Sequence, residues 1–369
     1  MTLTVGLCIW RIYGHLFAID SSIDAGFKVL GFSNQREMFL VMGHSISNIK
    51  KSLFWLLDYH PEVEKYPSLL MKHCIEHTVL SERAGFNSVW CAEHHFQHLG
   101  HIPNPAVFLS ALSQLTKRIR LGSGVSILPL RSPIQVAEDY AMLDILSAGR
   151  LNMGVGTGGQ LLESEGMGYD FSSRGERFKN NLAEIQKRWK LALEGHRGVE
   201  SLNISPVQKP SPPIYIASNN PESAYKIGRS GYGLITIVAP STENIDEIAV
   251  RIEQHRQGLA DSGFGKDHAE SVVTIFSQVG ESEKDVRYSV EPALARVISY
   301  LSGNKVSDAS GIYNCMRDKG TGLFGTPAEV QQMIARYQDI GVEHMAFINR
   351  FGGLDWSVAL RSLEYLGDI

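Results

Sequence analysis

Short apolar runs alternate with longer amphipathic segments from about residue 50 to the end of the chain. The runs are rich in branched and aromatic residues and are bounded by glycine, proline or polar residues, a pattern typical of buried parallel strands. Eight runs are present, at Ser52–Leu57, Ser88–Ala92, Ile119–Ile127, Leu151–Val155, Ile214–Ala217, Gly233–Val238, Val272–Val279 and His344–Ile348. The pattern predicts eight strands, each followed by a helix.

The segments between the runs carry helix start and stop signals. Pro67 suits the first turn of a helix that extends to Arg83. The pairs Ser173–Glu176 and Thr326–Glu329 have the spacing of capping boxes, in which each residue satisfies a free backbone N–H group at a helix start. Ser302–Gly325 is polar and longer than most connections, so we expect a long loop there.

The alternation of strands and helices defines the expected fold class. Eight strand and helix pairs over roughly 320 residues match an α/β protein of the (β/α)8 TIM-barrel type. The long loop would follow strand seven and its helix. A doubly wound open sheet is the alternative.

Residues 1–48 do not follow this alternation. Their apolar positions show no sustained period, and Gly26, Gly31 and Gly43 interrupt them. We therefore divide the chain into an N-terminal extension of uncertain structure, residues 1–48, and a barrel domain, residues 49–369. The extension is either genuine or the result of a start site placed too early, with Met42 as the alternative.

Composition narrows the class of protein. The chain has 369 residues and a hydrophobic content of 43%, which is enough for a large core. Its net charge of -4 and its scattered Lys and Arg residues give no basis for nucleic-acid binding. No apolar run reaches the roughly 18 residues that a membrane-spanning helix needs. The four cysteines are far apart and lack metal-ligand spacing, so we expect reduced thiols and a cytoplasmic protein that binds neither nucleic acid nor membrane.

Polar residues begin abruptly where the second predicted strand ends. Glu93, His94 and His95 follow that strand, and His98 and His101 lie in the next loop. The carboxyl ends of parallel strands are where α/β folds place their active sites, and imidazole transfers protons near neutral pH. We expect the catalytic centre here, with His94 either catalytic or bonded to backbone, Glu93 either orienting it or filling the core, and His95 structural.

The histidines of this junction have a second interpretation as a zinc site. A zinc site needs several correctly placed ligands and further groups that orient them. The remainder of the chain offers no Asp and His pair that would complete the set. We predict no bound metal.

The region from Asn87 to Gly159 resembles the bacterial-luciferase-like flavin monooxygenases. The matching motifs, in chain order, are AEHHF at 92–96, NP at 104–105, LGSGVSILPL-SP at 121–133, QVAED-LD at 135–144 and S-GR at 147–150. Weaker similarity continues at 174–178, 214–223 and 325–330, and the ordered series is more specific than any one fragment. The resemblance implies a TIM barrel that binds FMN at its carboxyl face and uses reduced FMN, supplied by a reductase, together with dioxygen.

The resemblance also assigns roles to individual residues. His94 matches the catalytic histidine of the family. Gly124 and Val125 match a position where a non-prolyl cis peptide often lies under the flavin ring; a plain strand with one small residue is the alternative.

Three loops are expected to hold the phosphate of FMN. Thr157, in the glycine-rich turn after strand four, offers a hydroxyl and backbone N–H groups, and Arg174 offers a guanidinium group. Ser218, Asn219 and Asn220 precede a short helix whose N-terminus favours an anion. Some members of the family have arginine where this chain has Thr157, and Arg174 has a solvated helix residue as its alternative interpretation.

These features predict a flavin-dependent monooxygenase. The family resemblance implies that dioxygen adds to reduced FMN, forming a flavin hydroperoxide that oxygenates a small organic substrate while His94 assists proton transfer. The alternatives are a deazaflavin-dependent hydride-transfer enzyme and a non-catalytic flavin-binding partner subunit. We expect a homodimer, and an aldehyde, an alkane sulfonate or a natural-product intermediate would each fit as substrate.

Overall fold

The computed structural model describes residues 49–64, 66–265 and 268–369, and three strands within residues 1–48. It contains one unit of residues 49–368 and a second unit that includes residues 1–48. In the second unit, β1 (Cys8–Ile12), β2 (His15–Asp20) and β3 (Lys28–Phe32) form an antiparallel sheet in the order β1-β2-β3.

Eight parallel strands in residues 49–368 close into a barrel, which confirms the predicted fold class. They are β4 (Lys50–Trp55), β5 (Ser88–Cys91), β6 (Arg120–Ser123), β8 (Leu151–Gly156), β9 (Ile214–Ala217), β10 (Gly233–Val238), β11 (Ser271–Val279) and β13 (His344–Ile348). Each strand pairs with the next, and β13 pairs with β4 to complete the ring. The short β7 (Ser126–Ile127) continues the direction of β6 and pairs with β8.

Helices connect the strands on the outside of the barrel. In the described residues they are α1 (Pro67–Arg83), α2 (Pro105–Leu115), α3 (Pro133–Leu146), α4 (Leu161–Gly166), α5 (Arg174–Leu193), α6 (Pro221–Arg229), α7 (Asp246–Asp261), α8 (Glu283–Ser302), α9 (Ala309–Asp318), α10 (Pro327–Asp339) and α11 (Trp356–Asp368). No helix among these residues has both the length and the apolar character needed to cross a bilayer.

Aromatic side chains fill the interior of the barrel. Trp90 on β5 is fully buried and makes an edge-to-face contact with Tyr215 on β9, with ring centroids 5.1 Å apart. Gly122 on β6 makes room for this indole, because a Cβ atom there would lie 2.2 Å from Trp90 Cε3. Phe54 belongs to the same core cluster and also reaches the carboxyl end of the barrel. The packed interior therefore forms the floor of any cavity at that end.

Two local predictions are wrong. Ser173 does not cap a helix: it has helical backbone angles, ends a 3-10 turn that Asp170 caps, and makes no side-chain capping bond. The predicted loop Ser302–Gly325 contains α9 and the short strand β12 (Leu323–Gly325), which pairs with β11. The capping box of Thr326 and Glu329 is confirmed, and a cap of this kind stabilises a helix by about 1 kcal/mol.

Candidate active site

A cavity of about 510 Å³ lies at the carboxyl ends of the barrel strands. One part of its wall is apolar and includes Phe54, Leu56, Val125, Ile127, Ile235 and Ile237. The polar part is made mainly by Glu93, His94, Thr157, Glu163, Ser218 and Asn219. Among the described residues, the side chains that line this cavity include two carboxylates but no lysine or arginine. The cavity therefore combines a broad apolar surface with a small set of polar groups, as ligand sites usually do.

His94 follows the end of β5 and lines the cavity. Its Nδ1 atom lies 2.9 Å from Oε1 of Glu163, and no described residue forms a hydrogen bond with its Nε2 atom. Gly100 packs against the same side chain: its φ is +78°, and a Cβ atom there would lie 2.6 Å from the Cβ of His94. Gly100, in the loop after β5, and the carboxylate of Glu163 thus flank the side chain of His94.

Glu163, on α4, is the carboxylate that contacts His94. Its side chain is 1% exposed, and Oε1 also accepts hydrogen bonds from the backbone N–H of His95 and from Nε2 of Gln97. Burial opposes ionisation and would raise the pKa of Glu163, but these hydrogen bonds and the charge of His94 outweigh burial and lower the pKa below its usual range. Glu163 is therefore expected to be ionised at neutral pH.

Glu93 has different partners from those predicted. Its Oε1 lies 3.1 Å from Nε2 of His95, and its Oε2 accepts a hydrogen bond from Ser126. Of the two alternatives for Glu93, the one in which it orients His94 is wrong, because Glu163 occupies that position. The alternative of a core carboxylate agrees with its burial, at 2% exposed. The contact between His95 and Glu93 agrees with the expected structural role of His95. The hydrogen bond from Ser126 to Glu93 links the loop after β5 to β7.

Five predicted cofactor-binding residues line the cavity, namely Gly124, Val125, Thr157, Ser218 and Asn219. The peptide bond between Gly124 and Val125 is cis, as the resemblance predicted. The side-chain oxygen of Asn219, Oδ1, already accepts hydrogen bonds from Thr236 Oγ1 and from the backbone N–H of Ile237.

The two other predicted cofactor-binding residues do not belong to the cavity lining. Arg174 stacks its guanidinium on the ring of Phe171, 3.9 Å from the centroid, and donates to the Phe171 carbonyl. Asn220 caps α6 by accepting a hydrogen bond from the backbone N–H of Ser223. A phosphate contact of Arg174 or Asn220 stays a prediction.

Sequence reasoning missed Glu163, Gln97 and Tyr300, which complete the polar cluster around His94. Tyr300, on α8, donates a hydrogen bond to Oε1 of Gln97. Glu163 and Tyr300 are far from His94 in sequence, and the tertiary fold brings them close to it. Within the described residues, no three His, Cys, Asp or Glu side chains are arranged to hold a metal ion.

Comparison with known proteins identifies the family. The family model described as luciferase-like monooxygenase matches residues 53–344. The chain belongs to the luciferase-like monooxygenase family. Its similarity to the solved structure of monooxygenase RslO1 from Streptomyces bottropensis has a TM-score of 0.78 at 22% identity and covers 87% of this chain and 98% of that one. That likeness confirms the fold.

Named relatives in sequence are oxidoreductases of two kinds. The oxygenase component of flavin-dependent trigonelline monooxygenase from Acinetobacter baylyi is 35% identical over 42% of this chain and 45% of its own length. The F420-dependent glucose-6-phosphate dehydrogenase of Intrasporangium calvum is 26% identical over 74% of this chain and 87% of its own length. For three of the curated relatives, including the trigonelline enzyme, the match spans only about half of the relative, 45–49%.

Proposed function

We propose that this chain is a flavin-dependent monooxygenase that uses reduced FMN and dioxygen to oxygenate a small organic substrate. One observation carries the proposal: the imidazole of His94 lines the cavity with Nδ1 held by Glu163 and with no described residue bonded to Nε2. An imidazole nitrogen that faces a cavity is suited to donate or accept a proton there. Membership of the luciferase-like monooxygenase family supports the same reaction class.

The walls of the cavity fit FMN chemically. Phe54, Val125 and Ile237 offer apolar surface to a flat aromatic ring. The hydroxyl groups of Thr157 and Ser218, with the backbone N–H groups after β8, are neutral donors that suit the ribityl chain and the phosphate. When bound, reduced FMN supplies the electrons for dioxygen activation.

His94 would contribute proton transfer, and the apolar part of the wall would limit water. With Nδ1 bonded to Glu163, the Nε2 atom of His94 is the nitrogen available to a reacting group in the cavity. The apolar side chains of Phe54, Val125 and Ile237 exclude hydrogen-bonding partners from their side of the cavity. Nε2 could then accept a proton from the substrate and, once protonated, return it to the substrate or to an oxygen atom beside it.

The proposal extends to the source of the reduced cofactor. The trigonelline relative is named as the oxygenase component of a flavin-dependent system. We propose that a separate reductase likewise supplies reduced FMN to this chain. A homodimer stays a prediction.

The test compares His94→Ala with His98→Ala in a coupled assay. Each protein receives reduced FMN, dioxygen and a panel of aldehydes, alkane sulfonates and aromatic natural products, and oxygenated products are identified by mass. Loss of a proton-transfer group typically slows turnover by about 10²–10⁴-fold, so we expect His94→Ala to lose product formation to that extent while retaining FMN binding. His98 is exposed and contacts the ring of Tyr300, so its replacement should leave turnover within about twofold.

Two outcomes would overturn the proposal. A His94→Ala protein that binds FMN and forms product at the wild-type rate would remove the assigned role of His94. A wild-type protein that neither binds FMN nor consumes dioxygen with any substrate in the panel would remove the monooxygenase assignment.

Deazaflavin-dependent hydride transfer is the second candidate. The observation that favours it is the match to an F420-dependent dehydrogenase, which extends over 310 residues at 26% identity. Fluorescence titration of the purified protein with FMN and with coenzyme F420 separates the two candidates. Tight binding of F420, with F420-dependent oxidation of an alcohol in the absence of dioxygen, would replace the first proposal with the second.

A further inference from the structure

Glu163 gathers three hydrogen-bond donors on a single oxygen atom. Its Oε1 lies 2.9 Å from Nδ1 of His94, 3.0 Å from the backbone nitrogen of His95 and 2.8 Å from Nε2 of Gln97. Its other oxygen, Oε2, is buried and has no hydrogen-bond partner among the described residues. All the hydrogen bonds that hold this carboxylate therefore converge at the side of His94.

This geometry determines which nitrogen of His94 carries a proton. An ionised carboxylate only accepts hydrogen bonds, so a distance of 2.9 Å to Nδ1 requires a hydrogen on that nitrogen. Gln97 Nε2 also lies 3.2 Å from Nδ1, but Tyr300 donates to the amide oxygen of Gln97 and so directs the amide nitrogen to Glu163. The neutral imidazole then has its unprotonated nitrogen, Nε2, free of any described protein partner.

The charge of Glu163 is maintained by its surroundings. Burial would raise the pKa of this carboxyl, but the hydrogen bonds that Oε1 accepts from His94, His95 and Gln97 lower it instead. Ionised Glu163 therefore persists through the neutral range, where proton transfer by an imidazole is effective.

We propose that Glu163 is a positioning residue, which fixes the Nδ1–H tautomer of His94 and thereby keeps Nε2 available to the cavity. A carboxylate that orients a catalytic histidine in this way has a known precedent in hydrolases, where loss of its charge selects the wrong tautomer. The consequence for turnover rests on the proposed function, whereas the tautomer itself is a property of the protein without ligand.

The first test measures the tautomer directly. Protein labelled with 15N-histidine is examined without flavin at about pH 8.5, where imidazoles are ordinarily neutral. The His94 signals are assigned among the 13 histidines by difference from His94→Gln. We expect wild type to have the proton on Nδ1 and Glu163→Ala to have it on Nε2, because alanine removes the acceptor of Nδ1–H and the Gln97 amide, 3.2 Å from Nδ1, can then donate to it.

The chain supplies a matched control for this variant. Glu165 lies on the same short helix, two residues from Glu163, and its side chain is exposed. Glu165→Ala makes the same chemical change and should leave the His94 signals unchanged. Gln97→Leu should also retain the Nδ1–H tautomer, because Glu163 remains in place to accept from it. If Glu163→Ala does not fold, Glu163→Leu removes the same acceptor and is measured in its place.

The second test measures turnover. We expect Glu163→Ala to lower kcat by about 10²-fold or more, by analogy with other carboxylate and histidine pairs, with KM changed by less than about threefold. Glu163→Asp keeps the charge and should recover part of kcat.

The outcomes distinguish this inference from the proposed function. Retention of the Nδ1–H tautomer in Glu163→Ala, or in Glu163→Leu if that variant is used, would overturn the positioning role even if the wild-type protein is a monooxygenase. A tautomer that changes in the Glu163 variant and not in Glu165→Ala would support the role even if no flavin-dependent turnover is found.

Discussion

A histidine and a glutamate form a pair at each end of the barrel. At the carboxyl end, His94 Nδ1 lies 2.9 Å from Glu163 Oε1 and forms a hydrogen bond with it. At the amino end, His344 Nδ1 lies 3.2 Å from Glu270 Oε1, close enough for an ion pair but without hydrogen-bond alignment. The side chain of His94 is 21% exposed, whereas that of His344 is fully buried. The two pairs thus share their residue types and differ in their surroundings.

The second nitrogen of each imidazole explains why the pairs have different roles. Nε2 of His344 lies 2.6 Å from Ser52 Oγ, which in turn lies 2.6 Å from Ser88 Oγ. Both nitrogens of His344 therefore face protein atoms, whereas Nε2 of His94 has no described partner. The pair at the amino end is suited to holding strands together, and the pair at the carboxyl end to chemistry.

Cavity size does not distinguish the two ends. A second cavity, of about 560 Å³, lies at the amino ends of the strands and is lined by Glu270 but not by His344. At the carboxyl end, both His94 and Glu163 line the cavity. The two ends therefore differ in whether the cavity reaches the histidine of the pair. The carboxyl end, where it does, is also the usual position of active sites in this fold.

The largest expected effect comes from removing the histidine at the amino end. His344→Ala leaves a void, takes a partner from Ser52 and leaves the carboxylate of Glu270 with fewer compensating groups. Breaking a buried pair from one side is strongly destabilising, so we expect a loss of about 3 kcal/mol in the free energy of unfolding, measured with urea. His94→Ala should cost less, because its side chain is partly exposed and Glu163 keeps the hydrogen bonds from His95 and Gln97. Equal costs for the two variants would contradict the division of roles.

The second prediction concerns the pH dependence of stability at the amino end. Burial would raise the pKa of Glu270, but the close contact with His344 and the hydrogen bond and charge of Lys50 lower it to about 2. Because the folded-state pKa is below the unfolded one, the stabilisation is complete above about pH 5 and is lost as the pH falls toward 2. The shift corresponds to on the order of 3 kcal/mol.

Urea unfolding between about pH 3 and pH 7 tests this prediction. The free energy of unfolding of wild type should fall more steeply with acid than that of Glu270→Gln, which has no charge to lose. Glu343→Gln is the control, because Glu343 is largely exposed where it pairs with Arg256 and exposed pairs contribute little. Parallel curves for wild type and Glu270→Gln would show that Glu270 is not the titrating group.

Much of the barrel could be predicted because its strands have a simple sequence signature. Ile214–Ala217, Gly233–Val238 and His344–Ile348 were predicted with the bounds that the structure has. Each is a buried apolar run between turn residues, so local pattern and tertiary burial agree. His94 was found for a related reason, since the strand stops abruptly at a polar motif.

The remainder of the site depends on contacts that no local pattern encodes. Glu163 lies 69 residues from His94, on a six-residue helix too short to show a periodic pattern. Glu93, adjacent to His94, was the natural candidate, but neighbouring side chains on an extended chain point in opposite directions. Helix α9 was missed because it lies in a polar segment, although Asp308, which caps it, was a start signal.

The smallest predicted effect comes from replacing one of two glycines with similar backbone angles, one in the cavity wall and one outside it. Gly158, in the turn after β8, and Gly168, after α4, have similar φ values of +72° and +76°. Alanine at either position costs about 1 kcal/mol of backbone strain. At Gly158 the new Cβ would also lie 2.8 Å from Cγ2 of Ile127 in the cavity wall, whereas nothing lies within 4 Å at Gly168.

Gly158→Ala should therefore be the less stable variant by about 1 kcal/mol, since a crowded methyl group must displace its neighbour. It should also bind FMN more weakly than wild type, because Ile127 and the turn both line the cavity. Gly168→Ala, which bears the same strain away from the cavity, should bind FMN normally. Urea unfolding and flavin fluorescence titration measure the two quantities separately. If both variants bound FMN equally well, the turn after β8 would be a structural connection rather than part of the cofactor site.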